Sequence, residues 1–227
     1  MNTPPPSVIR PACVLFSMFT LVTGIIYPFF VTGVAQAVFP HQAGGSLINA
    51  DGTPVLASSN GVPPSAVGSA LIGQDFSNGP AAAATHFFWS RPSATGPVGY
   101  TAFNSEKLSG SSASNLAASN PAFLQGVTAR INALNAADAA AGYVRPAQSL
   151  IPVDLITASA SGLDPQISPA AAEYQLARVA KARGLSEEAV RQLVRQHTRA
   201  RSFGLLGEPV VTVLTLNLDL AKLKSVR

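Results

Sequence analysis

The chain has 227 residues, of which 47% are hydrophobic and only 11% charged, with a formal net charge of +4. That charged fraction is less than half the roughly 25% of an ordinary soluble domain, and the length leaves room for one domain plus something else. One cysteine excludes an internal disulfide framework and, with only three histidines, a zinc cage of the cysteine–histidine type.

The charge deficit sits at the amino end. Between Arg10 and His41 the only ionisable side chains are Cys13 and Tyr27, within the run CVLFSMFTLVTGIIYPFFVTGVAQAVF. At about 1.5 Å per residue, its roughly 27 residues reach about 40 Å as a helix, against a hydrocarbon core of about 30 Å. A transmembrane helix is therefore expected over residues 12–39, after a short tail of residues 1–11. Ala35-Gln36-Ala37 has the form of a signal-peptidase site. However, the apolar stretch is about twice the 7–15 residues of a signal h-region, and the n-region carries only Arg10 and the amino terminus. An uncleaved anchor is the expectation. Arg10 precedes the span and no Lys or Arg follows until Arg91, so the tail should be cytoplasmic and residues 40–227 extracytoplasmic.

Within the span, Pro28 lacks a donor and crowds the carbonyl of Gly24, which predicts a kink or a softened turn. Thr20 and Gly24 form a small-xxx-small pair and Gly33 adds a second flat spot. These positions suit a neighbouring helix, or simply reflect the higher glycine and proline content of membrane helices.

Residues 41–120 are rich in Gly, Ser, Pro and Ala. Strand-like pieces at residues 69–74 and 86–89 stand between turn signals at Asp51-Gly52, Asn60-Gly61, Pro63-Pro64 and Asn78-Gly79-Pro80. Phe76, Phe87, Phe88, Trp89, Tyr100 and Phe103 give the region apolar mass to bury, so an ordered, loop-rich domain is expected. Helices are clearer beyond it. Asn120-Pro121 is a start signal, followed by Leu124, Val127, Ile131 and Leu134 at helical spacing. Ser168-Pro169 opens a second helix that stops at Gly184. Ser186 caps a third, with Glu187 and Glu188 in its first turn, an inner face of Val190, Leu193, Val194 and His197, and an end near Gly204. VVTVLTLNLDL alternates leucines with smaller or polar residues and reads as a half-buried strand. The fold class is α+β: one amino-terminal transmembrane helix followed by a loop-rich extracytoplasmic domain.

No phosphate loop or dinucleotide-binding turn occurs. LITASASGLDPQISPAAA, residues 155–172, packs Ser159, Ser161 and Ser168 beside Gly162 and Asp164. A serine hydrolase would need a nucleophile, a base and an orienting group. Neither Ser159 nor Ser161 stands in a Gly-x-Ser-x-Gly elbow, and a lone histidine on an inner helix face, His197, is more often a hydrogen-bonded core residue than a base. Asp164 before Pro165 reads as a turn aspartate. A membrane-anchored hydrolase using Ser161, His197 and Asp164 is the rival reading. Arg178, Lys181, Arg183, Arg191, Arg195, Arg199 and Arg201 fall within 24 residues, either as a solvated face or as a docking face for an acidic partner, lipid head groups or phosphate. The extracytoplasmic location argues against nucleic acid.

Several stretches together are similar to KdpC, the small accessory chain of the bacterial Kdp potassium-transporting ATPase. They are Gly68 to Phe76, Phe88-Trp89-Ser90-Arg91-Pro92-Ser93-Ala94, Ser114-Asn115-Leu116 to Ser119-Asn120-Pro121, Ile151 to Pro169, and Leu206-Gly207-Glu208-Pro209 leading into Val213-Leu214-Thr215-Leu216-Asn217. The resemblance covers nearly the whole chain and implies an uncleaved span in the inner membrane with a periplasmic domain. It implies a non-catalytic accessory subunit of a high-affinity potassium uptake complex. Its partners would be lipid, the potassium-channel-like KdpA chain and the ATP-hydrolysing KdpB chain. It would stabilise their assembly and act as a catalytic chaperone that raises the ATP affinity of KdpB. No tightly bound cofactor is implied, and ATP would be met only through the complex. A Leu-Ser-Gly-Gly-type sequence proposed to contact nucleotide in the family corresponds here to Leu108, Ser109, Gly110, Ser111 and Ser112, where the second glycine is a serine. The turn holding Asp154, Thr157, Ser159, Ser161, Gly162, Asp164 and Pro165 would either dock on a partner or brace the domain, while Thr20, Gly24, Pro28 and Gly33 would pack the span.

Overall fold

The structure, a computed structural model, describes residues 8–56, 63–77, 85–95, 100 and 110–223. The expected turns at Asn60-Gly61 and Asn78-Gly79-Pro80, and Phe103, lie outside the described residues. The first element, α1, runs over Ile9–Val38 with mean hydropathy 2.0, long and apolar enough to cross a membrane, and none of its most apolar window is buried by the rest of the chain. Thr20, Gly24, Pro28 and Gly33 all lie on this exposed helix. One turn, Val22–Ile26, is wider than an α-turn, and the amide of Tyr27 donates to the carbonyl of Val22. Pro28 explains it: an α-turn would need a proline N–H to reach Gly24, and a turn widened by one residue relieves the ring from that carbonyl. The softened turn expected at Pro28 is therefore present. Thr23 donates its hydroxyl to the carbonyl of Phe19 at 2.6 Å.

A short helix α2, Pro40–Ala43, leads without a long linker into a small antiparallel sheet of β1 (Leu47–Asn49), β2 (Pro54–Val55) and β3 (Ala66–Ser69), in the order β2-β1-β3. Leu47 pairs with both Val55 and Ser69, and the β1–β3 register slips after Ile48. The piece expected as a strand over residues 69–74 is thus mostly turn: the strand ends at Ser69, and the Ser69 hydroxyl accepts from the amide of Leu71 and closes the bend.

The carboxy-terminal half carries the core. Its helices are α3 (Pro121–Ala140), α4 (Pro169–Arg183), α5 (Glu187–Gln196) and α6 (Val213–Lys222). A second antiparallel sheet has the order β4-β6-β5, from β4 (Gln166–Ile167), β5 (Thr198–Arg199) and β6 (Val210–Thr212). The sequence signals at the caps hold in detail. Asn120, Ser168 and Ser186 each accept a backbone amide of the first turn, and Gly184 closes α4 in the left-handed conformation at φ 63°. Helix α4 is the centre: Ala171, Ala172, Leu176, Val179 and Ala180 are essentially fully buried, against Phe88, Ile167, Val190, Val211, Val213, Leu216 and Leu220.

Three expectations change here. VVTVLTLNLDL is not one strand: its β-branched start forms β6, and its leucine-rich remainder is α6. Leucine favours helix where valine and threonine favour strand, and of the buried residues Val213, Leu214, Leu216, Asn217 and Leu220 all but Leu214 fall at helical spacing. Helix α5 ends at Gln196, not near Gly204, because β6 offers a pairing partner to Thr198 and Arg199. On α3 only the carboxy-terminal end of the expected face is buried: Leu134 is 2% exposed, whereas Leu124 is 56% exposed.

Candidate functional site: an inward-facing polar knot

Residues 86–89 are not a strand either, although they run through the interior. Phe88 is completely buried, and its backbone groups must find partners that a sheet would ordinarily supply. Two side-chain amides supply them. Asn217 on α6 accepts from the Phe88 amide and donates to the Phe88 carbonyl, both at 2.9 Å. Gln175 on α4 does the same for Trp89, at 2.7 and 3.1 Å. Arg178 completes the clamp by donating to the carbonyls of Thr85 and Phe87. A strand-like sequence is held in place by two helices.

Arg178 is 1% exposed, and burial pulls its pKa down to about 10. It remains a cation at neutral pH, so it needs compensation. The compensation is Asp138, 4% exposed, which lies 3.7 Å from Arg178 Nε and forms a two-bond fork with Arg145 at 2.7 and 2.9 Å. The Arg145 guanidinium also sits 3.6 Å from the centre of the Tyr174 ring. Sequence alone places Arg178 in a basic face and does not single out Gln175, Asn217, Asp138 or Arg145. A signal existed for Gln175 and Arg178, because with Ala171 they fall on one stripe of α4 among apolar residues.

Held by that clamp, the following residues Arg91 to Thr95 meet the serine-rich turn. Arg91 pairs with Asp164 at 3.3 Å, and the amide of Ser159 donates to the carbonyl of Pro92 at 2.9 Å. Ser159 is 1% exposed; its hydroxyl lies 3.1 Å from that of Ser161 and accepts from the amide of Gly162. The Ser161 hydroxyl accepts from the amide of Leu163, and the Asp164 carboxylate accepts from that of Gln166. Ser93 donates to the carbonyl of Gly162 at 2.6 Å. Tyr100 donates to the carbonyl of Arg91, and burial pushes its phenol pKa upward. Asp154 accepts from both the amide and the hydroxyl of Ser168, fixing the start of α4, while Thr157 donates to the carbonyl of Val153. Pro165 continues the chain into β4, its carbonyl accepting from the amide of Val213.

Gly162 shows how tight the knot is. Its φ is 66°, and an added Cβ would lie 2.5 Å from both the carbonyl oxygen of Ser112 and the Thr95 methyl. Only glycine fits there.

Leu108 and Ser109 lie outside the described residues. For the rest of that loop, the Ser111 hydroxyl and the Ser112 amide both donate to the carbonyl of Ser161, at 3.0 and 2.9 Å, while Gly110 precedes them at the edge of the knot. Both donors are spent on the chain's own backbone. The hydrolase arrangement is not assembled: the ring nitrogens of His197 lie 3.1 Å from the Thr215 hydroxyl and 3.0 Å from the Asp219 carboxylate, while Ser161 and Asp164 are engaged as above. No cluster of three or more potential metal-binding side chains occurs among the described residues.

The basic run divides in the same way. Arg183 donates to the carbonyls of His86 and Leu220. Arg191 is held on the surface by Glu173, Glu187 and Glu188, with Glu173 foremost in raising its pKa.

The family described as K+-transporting ATPase, c chain, matches residues 9–222. A "Potassium-transporting ATPase KdpC subunit" of Polaromonas naphthalenivorans (strain CJ2) is 52% identical over 220 residues, covering 97% of each chain. Proteins of the same name from Methylibium petroleiphilum and Herpetosiphon aurantiacus are 51% and 50% identical, covering 94% and 95% of this chain and 96% of each relative.

Proposed function

The chain belongs to the KdpC family, the c chain of K+-transporting ATPases, and from that membership we propose that it is a non-catalytic accessory subunit that works through its shape. In this reading α1 anchors the chain in the inner membrane, with residues 1–11 cytoplasmic and residues 40–227 forming a periplasmic module. The module stabilises an assembly with the channel-like KdpA chain and the ATP-hydrolysing KdpB chain. It raises the ATP affinity of KdpB by favouring one arrangement of the complex, without itself cradling the nucleotide.

The observation that supports this most is the direction of the polar groups. In the serine-rich turn, the hydroxyls of Ser159 and Ser161 and the carboxylate of Asp164 are taken up by amides of the turn itself. Asp164 also pairs with Arg91, and the Gly162 carbonyl accepts from Ser93, two residues of a distant segment of the same chain. A catalytic or phosphate-binding loop keeps donors and a nucleophile free for its substrate; a brace does not. Potassium uptake by the whole complex then depends on this chain for geometry.

The test is co-expression of the two large subunits with either the full chain or a version ending at residue 39. Loss of the module should lower recovery of intact complex and raise the KM for ATP of potassium-stimulated hydrolysis. Unchanged recovery together with an unchanged KM would sink the proposal.

A further inference from the structure

The small sheet is bonded to the residues that leave α1 rather than hung from a linker. Residues 39–46 fold on themselves, the amides of Ala43, Gly44 and Ser46 donating to the carbonyls of Phe39, Pro40 and His41 at 2.9, 3.0 and 2.9 Å. Both outer strands are tied to this turn. A ring nitrogen of His41 lies 3.4 Å from the carbonyl oxygen of Val55, and the Ser69 hydroxyl donates to the carbonyl of Gly45 at 2.7 Å. The amide of Ala70 donates to the carbonyl of Ser46 at 3.0 Å.

Register fixes which end of the sheet lies nearest α1. Leu47, the first residue of β1, pairs with Val55 and Ser69, the last residues of β2 and β3. At that end the chain leaves the two outer strands into Leu56 and Leu71, which are 58% and 62% exposed, on the side where Phe39, 57% exposed, closes α1. Those outer strands flank β1, so they stand about 10 Å apart. The described residues of this end, 39–47, 55–56 and 69–72, include no Asp, Glu, Lys or Arg. Charge stands at the opposite end, where the Lys222 ammonium donates to the carbonyl of Asp51 at 2.7 Å in the β1–β2 turn.

Helix length sets the depth. The 30 residues of α1 reach about 45 Å, against about 30 Å of hydrocarbon and about 40–45 Å with both headgroup layers. Its end thus falls at headgroup level, and tilt draws the residues after Val38 deeper. We infer that Phe39, Leu56 and Leu71 form an apolar foot seated in the headgroup–acyl boundary of the leaflet from which α1 emerges. Apolar faces bury about 5–10 Å into that boundary, and charged groups, which would oppose burial, are missing from this end of the sheet. Lipid is the occupant because the span itself brings it there. A lone helix is free to rotate about its axis; a foot wider than the helix fixes the attitude of the whole module to the membrane. The inference rests on the part of the proposed function that places α1 across a bilayer.

The experiment attaches a nitroxide to single cysteines of the full chain, alone and assembled into the complex, in nanodiscs of phosphatidylethanolamine and phosphatidylglycerol. It compares collisions with oxygen, which enters lipid, and with a nickel chelate, which stays in water. The sites are the natural Cys13 and, in a Cys13→Ser background, Leu71→Cys and Ala50→Cys, Ala50 being exposed at the far end of the sheet. Lipid-like readings are expected at 13 and 71 and an aqueous one at 50. Adding Phe39→Ser/Leu56→Ser should lower the oxygen-to-nickel ratio at 71 by about threefold or more. Water at 71, shielding there from both reagents as a protein contact gives, or equal readings at 50 and 71 overturns the inference. So does an unchanged ratio in the double-serine variant, because the label then enters lipid on its own account. Water at 13 removes the membrane anchor and the proposed function with it, whereas lipid at 13 with water at 71 removes only the foot.

Discussion

The serine-rich turn and the hairpin tip reverse the usual relation between chemistry and place. Ser159 is 1% exposed and spends its hydroxyl on a neighbouring amide, whereas Phe203 is 94% exposed. In the first region polar groups build the interior, because a domain whose described strands are short must satisfy buried backbone by other means. In the second, apolar groups sit outside, where folding gains nothing from them. Folding energy is concentrated in the knot and its clamp, and the tip adds little to it.

Substitutions can break or sharpen that contrast, beginning with the buried charges. Asp138→Ala leaves Arg178 and Arg145 without their shared carboxylate and should cost about 3–5 kcal/mol. It is measured by urea unfolding of the detergent-solubilised chain through its single tryptophan, Trp89. Gly162→Val adds branched bulk where even a Cβ meets atoms at 2.5 Å, at φ 66°, and should cost about 3 kcal/mol in the same assay. Asn217→Leu preserves size but strands the amide and carbonyl of Phe88, for about 2 kcal/mol. A loss below about 0.5 kcal/mol for any of these three would mean that the interior does not depend on polar bracing.

The smaller effects lie at the surface. The hydrogen bond from Lys222, with help from His197, lowers the pKa of Asp219. Its contribution is therefore present above the ordinary carboxylate value of about 4 and is lost as pH falls through the depressed one. Asp219→Asn should flatten that acid limb of a stability–pH profile and change little at neutral pH, because the side chain is 38% exposed and well screened. At the tip, Leu205→Ser should alter stability by less than about 0.5 kcal/mol, so a larger loss would show that the hairpin end contributes to the fold after all.

Much of the helical framework was legible because its signals are local. Asn120, Ser168, Ser186 and Gly184 each act on atoms within four residues, and composition alone marks α1. The errors share a cause. Residues 86–89 have strand composition, but their partners, Gln175 and Asn217, lie 86 and 129 residues away. The leucines of residues 214–220 alternate, yet helix and strand readings compete over so short a run, and packing of one helical face into the core decides for helix. Arg178 looked like its exposed neighbours because charge says nothing about which side of a helix faces inward when most of that helix is buried. Of the candidate site, the turn residues were found as a group, but whether they face inward or outward was not readable.

By itself the sequence determined a membrane-length apolar helix, the starts and stops of the main helices, and membership in a family, all of which depend on neighbouring residues or on ordered motifs. Only the tertiary structure decided which polar groups are buried, which apolar ones are stranded outside, and how a segment without strand partners is held. Those outcomes depend on side chains brought together from positions up to 129 residues apart, and burial is a property of the packed whole rather than of any local stretch.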